Sequence, residues 1–96
     1  MAVIRFTRFT ADPADTEEVL AKRAALIAAV RDAFPGLTDA RLAKIDDGAW
    51  IDTWRWDSQA SLEAAVAGAP DLPEVQTAFA LVRDVSAETA DLVDER

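Results

Sequence analysis

Cysteine, histidine and tyrosine are absent from this 96-residue chain. Without cysteine there is no disulfide to staple the fold, no thiolate nucleophile and no thiolate metal ligand. Without histidine there is no imidazole base, no histidine-containing zinc site and no axial haem histidine. Without tyrosine there is no phenol to donate or hold a proton. Any acid–base chemistry must therefore come from Asp, Glu, Lys, Arg or the substrate. Positive charge is also scarce: 10 Lys and Arg stand against 18 Asp and Glu, a formal net charge of −8. That balance repels phosphate backbones and anionic membranes, so neither nucleic acid nor a membrane is expected as a partner. No apolar run is long enough to span a bilayer, and Arg5 and Arg8 interrupt the apolar amino terminus, which argues against a signal peptide. A cytoplasmic protein is expected. No phosphate-cradling glycine loop, catalytic triad, internal repeat or low-complexity tract is present.

What the chain does have is apolar content, 51% of its residues, ample for a folded domain. Its length fits one domain spanning residues 1–96. A domain this small has a thin core, which a partner subunit would thicken. Residues 2–10 (AVIRFTRFT) read as a strand. Asp12 and Pro13 suit the start of a helix, which Val19, Leu20, Ile27, Val30 and Phe34 continue at helical spacing. The alanines at 24–25 and 28–29 would let this helix approach a sheet closely, and Pro35-Gly36 ends it. Residues 37–45 form a weaker second strand. Asp46-Asp47-Gly48 is a hairpin turn, with Gly48 free to take positive φ, and residues 49–57 are the third strand. Ser58 caps a second helix with Leu62, Ala65 and Val66 on one face. Residues 68–73 interrupt it. A short segment, 73–82, follows with Val75, Phe79 and Val82 on its buried side. Residues 86–93 form the last strand, and Asp94-Glu95-Arg96 is a solvated tail.

Strand, helix, strand, strand, helix, strand is the α+β, ferredoxin-like βαββαβ order. It predicts a four-stranded antiparallel sheet with the first and third strands central and the helices on one face. The uncovered face predicts a homodimer.

The third strand carries the chemistry worth weighing. Trp50, Asp52, Trp54 and Trp56 share one parity and so one face. Three indoles and a carboxylate there are either packing or the wall of a pocket for a flat apolar ligand. Asp52, mid-strand on a covered face, needs a cationic partner, and an arginine of the first strand or of a partner subunit is expected to supply it. The rival is an unpaired Asp52 acting as a base. Arg5, Arg8 and Arg55 lie in strands. They either form salt bridges, or one of them stabilises an enolate or peroxide-like anion in the pocket. The spacing does not choose among the three.

Trp56-Asp57-Ser58-Gln59-Ala60, closing the third strand and opening a helix, resembles the antibiotic biosynthesis monooxygenase-like domains of the dimeric α+β barrel superfamily. The resemblance covers nearly the whole chain. It implies a homodimer and, in one branch of the family, oxidation of aromatic polyketide-type substrates with no metal and no other cofactor. In the haem-degrading branch it implies an asparagine, a tryptophan and a histidine around the haem. Those positions fall on or near Thr7, on Trp56, and near Phe79 or Ala80. Only the tryptophan is present, so haem degradation is ruled out. A further histidine of quinol-type members falls near Ala65 and is absent too. The pocket residues to test are therefore Trp56, Trp54, Asp52, Thr7, Arg5 and Phe79. Two functions are carried forward: a cofactor-independent monooxygenase for a small aromatic substrate, and a non-catalytic dimeric module that binds a small aromatic ligand or a partner.

Overall fold

The computed structural model describes residues 1–96. β1 (Val3–Thr10) leads through a 3-10 turn (Pro13–Asp15) into α1 (Thr16–Ala33). β2 (Leu37–Asp46) and β3 (Ala49–Trp56) form a hairpin. α2 (Gln59–Gly68), a second 3-10 turn (Ala69–Asp71) and α3 (Pro73–Phe79) then lead to β4 (Arg83–Asp91). The sheet is antiparallel throughout, in the order β2-β3-β1-β4, so β1 and β3 are central as the sequence predicts.

Local chemistry sets the boundaries. Asp12 Oδ1 accepts from Ala14 N at 2.9 Å, and Pro13 has no N–H to leave unpaired in that first turn. Ser58 Oγ accepts from Ser61 N at 3.1 Å and starts α2. The β2–β3 hairpin turns as expected, but not because Gly48 adopts positive φ; no glycine does. The carboxylate of Asp46 holds the turn instead, accepting from Gly48 N at 3.1 Å and Ala49 N at 3.0 Å.

The register decides which side chains face the helices. Val3, Arg5, Thr7 and Phe9 of β1 lie directly opposite Trp56, Trp54, Asp52 and Trp50 of β3. Two apolar clusters form on this side. Val3, Leu26, Val30, Leu37, Trp56, Leu62 and Ala65 make the larger one. Phe9, Ala11, Val19 and Trp50 make the smaller one. Between them, at the middle of both central strands, lie Thr7 and Asp52.

Three expectations about packing need correction. The buried stripe of α1 is Val19, Leu26 and Val30, whereas Leu20 is 45% exposed. Ala24, Ala25 and Ala28 face solvent and do not bring the helix onto the sheet. Phe79, expected inside, is 44% exposed at the end of α3. The last strand also begins earlier than expected, at Arg83, and ends at Asp91.

Candidate functional site

A cavity of about 310 Å³ lies between the helix-facing side of the sheet and the helices. That is the lower end of the range of roughly 300–1,000 Å³ typical of small-molecule sites. Its floor is Arg5, Thr7 and Phe9 of β1 with Asp52, Trp54 and Trp56 of β3; α1, α2 and the segment from Ala69 to Val82 supply the walls. The lining is mostly apolar, with Arg5, Thr7, Arg23 and Asp52 as its polar members. All six candidate residues from the sequence border it: Trp56, Trp54, Asp52, Thr7, Arg5 and Phe79. Trp50 does not. It packs against Phe9, Ala11 and Val19, with Lys44 Nζ 5.6 Å from its ring centroid.

Asp52 is 8% exposed and paired. The partner is neither an arginine of β1 nor one of another subunit, as the sequence had suggested, but Arg23 of α1. Arg23 Nε and Nη2 donate to Asp52 Oδ2 and Oδ1, each at 2.9 Å. This fork-to-carboxylate geometry is the strong form of the interaction. It also engages both carboxylate oxygens, which removes the picture of Asp52 as an unpaired base. Arg23 was missed, although a signal for it existed. Positions 19, 23, 26 and 30 recur at one helical stripe, so Arg23 stands in the middle of the buried face of α1.

The other arginines separate cleanly. Arg8 is exposed on the opposite side of the sheet, where it pairs in register with Ile51 and Ser86. Arg55 also lies on that side. It is held by Glu95, with Nε to Oε1 at 2.6 Å and Nη2 to Oε2 at 2.7 Å, and by Thr38 Oγ1 at 2.7 Å. The hydrogen bonds from Arg55 hold the Glu95 carboxyl below its usual range, and the same bonds raise Arg55. The tail is thus tied back at Glu95 and is not simply solvated. Of Arg5, Arg8 and Arg55, only Arg5 borders the cavity.

Trp56 has a second distinguishing feature. It is 2% exposed, and its Nε1 is a buried donor with no acceptor in the protein. Buried donors of this kind are uncommon, because leaving one unpaired costs about 1–3 kcal/mol. The nitrogen is closed off even from the adjoining cavity, so an acceptor would reach it only if the indole or its neighbours moved.

Solved structures share this fold. SnoaB from Streptomyces nogalater, described as a cofactor-independent oxygenase, superposes with a TM-score of 0.73 at 23% identity over 98% of this chain and 95% of that one. Rv0793 from Mycobacterium tuberculosis gives 0.69 at 23% identity over 99% and 98%. A protein described as an antibiotic biosynthesis monooxygenase gives 0.72 at 19% identity over 96% and 99%. The chain has the antibiotic biosynthesis monooxygenase-like fold. No protein-family model and no curated sequence matches it. Within the antibiotic biosynthesis monooxygenase-like fold, the cavity lies on the side that the helices cover, and the opposite side of the sheet carries no helix.

Proposed function

We propose that this protein is a cofactor-independent monooxygenase for a small, planar, phenolic or quinol-type aromatic, of the kind made by polyketide assembly, and that it works as a homodimer. The observation that carries the reading is the cavity: apolar walls, two indoles, and a fixed Arg23–Asp52 pair at its floor. The likeness to SnoaB supports it.

The chemistry asks little of the protein. An electron-rich aromatic that has lost a proton can pass electrons to dioxygen itself. A carbon–oxygen bond forms to give a hydroperoxide, and loss of water from a CH–OOH centre leaves a ketone. One oxygen atom enters the product and the other leaves as water. The protein's part is to hold the ring, keep water out and stabilise the developing oxygen charge. Trp54 and Trp56 would hold the ring, and Arg23–Asp52 would fix the floor. Phe79 and Thr7 border the same space.

The homodimer reading rests on the uncovered side of the sheet. Phe6 and Ile51 lie there among Thr53, Arg8 and Arg55, and the whole of β4 is exposed. The chain's surface is 5893 Å², against about 5,400 Å² for a typical monomer of its mass. A stable dimer would bury about 1,200 Å² or more in total, and light scattering at micromolar concentration should return twice the chain mass. A chain that stays monomeric there defeats this part of the reading.

The activity is tested by dioxygen uptake with a panel of anthrones and naphthols, in the presence of a chelator and with no flavin. Turnover that falls at least tenfold in Trp56→Phe and little in Trp50→Phe is the expected result. Saturable binding of these compounds without uptake of dioxygen would favour the second reading, a binding module. That reading has one observation of its own: both oxygens of Asp52 are engaged by Arg23, so its carboxylate is held in a structural pair.

A further inference from the structure

Charge within the cavity is unbalanced. Its lining contains two guanidinium groups, Arg5 and Arg23, and one carboxylate, Asp52. Asp52 is spent on Arg23, with both oxygens bonded at 2.9 Å. Arg5 belongs to none of the five ion pairs in the molecule. Its one side-chain partner is neutral and distant: Nη1 donates to Thr89 Oγ1 at 3.5 Å. A guanidinium has five N–H donors in a planar fork suited to a carboxylate or a similar pair of oxygens. Arg5 is half-buried on the helix-facing side of a central strand.

Its position in the register matters as much as its charge. Arg5 is directly opposite Trp54 and one pleat away from the Thr7–Asp52 pair. A flat ring lying along Trp54 would therefore bring a substituent at its edge to the guanidinium. Arg5 also borders a shallow groove with Gln59, Glu63 and Thr89, so it stands where the cavity meets the space between α2 and β4. Glu63 is the one carboxylate in that groove; it accepts from Gln59 Nε2 at 3.3 Å and makes no ion pair with Arg5.

We infer that Arg5 is a specificity-determining residue that makes this cavity select an anionic aromatic, one carrying a carboxylate or an ionised ring oxygen, over its neutral counterpart. The inference rests on the cavity being a ligand site, as proposed above, and adds the charge of the ligand. It also answers a chemical difficulty. With no histidine or tyrosine and with Asp52 tied to Arg23, the cavity has no free base, so a substrate that arrives already ionised fits it better than one that must be deprotonated inside. In a protein of net charge −8, a cation on the wall of a low-dielectric pocket is what would let an anion enter.

The test compares 2-naphthoate with its isosteric neutral amide, 2-naphthamide, by calorimetry on the whole protein. The wild type should bind the naphthoate at least tenfold more tightly. Arg5→Gln should abolish that preference and leave naphthamide affinity within twofold of wild type. Arg5→Lys, which keeps the charge but not the fork, should keep part of the preference, and serves if Arg5→Gln does not fold. Equal wild-type affinity for the two probes would overturn the role of Arg5 and leave the cavity reading standing, as would a preference that survives Arg5→Gln. If neither probe binds, the cavity reading fails, and this inference fails with it.

Discussion

Asp52 and Arg23 show how one side chain can fix both a fold and a site. Removing one partner strands the other's charge at a place where neither side chain is more than 18% exposed. Asp52→Asn should therefore destabilise the protein by about 3 kcal/mol, a fall of roughly 12–24 °C in Tm for a domain of this size. The double variant R23M/D52L should recover most of that loss, because two well-packed apolar groups replace a costly desolvated pair. An Asp52→Asn protein as stable as the parent in thermal unfolding would contradict the pairing. The need for a partner was legible in the sequence, since a carboxylate sharing a strand face with three indoles must be satisfied. The identity of the partner was not. Leu20, which joins the apolar spacing but is exposed, rotates the apparent face of α1 and hides Arg23 at its centre. Alternation along a strand is unambiguous, whereas a helix rich in alanine admits more than one apolar stripe.

At the scale of elements, close approaches of the backbone set the frame around the cavity. A Cβ on Gly36 would lie 2.5 Å from Ser61 Oγ and 2.9 Å from Asp57 Oδ1, while the Gly36 carbonyl is held by Asp57 N at 2.9 Å. The start of α2 is thereby locked against the start of β2. Gly36→Ala should cost about 1–3 kcal/mol, as overpacking commonly does. Gly68→Ala meets only the tip of the Phe34 ring, at 2.6 Å, and places a better helix former at the end of α2. Its cost should be much smaller, and denaturant midpoints for the two variants check the contrast. Element order, the central strands, the Ser58 cap of α2 and the hairpin were legible because each has local chemistry behind it, whereas Asp12 caps the 3-10 turn before α1 and not α1 itself. What the sequence hid was tertiary: how far α3 leaves Phe79 exposed, and that Glu95 returns to Arg55 across the sheet.

That return is a property of the whole molecule, and it sets a pH dependence. Arg55 holds Glu95 below its ordinary value of 4.5. The stability this lends is fully present above that value and is lost as the pH falls through the lowered one. Glu95→Gln should remove this contribution, so the variant's stability should fall less steeply than the parent's below about pH 4.5. Parallel acid limbs in urea titrations would show that the tail contributes nothing.

The most direct test of a ligand site between sheet and helices uses the chain's three indole N–H groups, one for each tryptophan. In a ¹H–¹⁵N spectrum of labelled protein they give three separate signals, which Trp→Phe variants assign. Titration with 2-naphthol should move the Trp56 signal saturably as the ring seats against its indole. Trp54 should shift through ring current, and Trp50, packed away from the cavity, should stay in place. Three unmoved signals at millimolar 2-naphthol, or a shift confined to Trp50, would contradict the account.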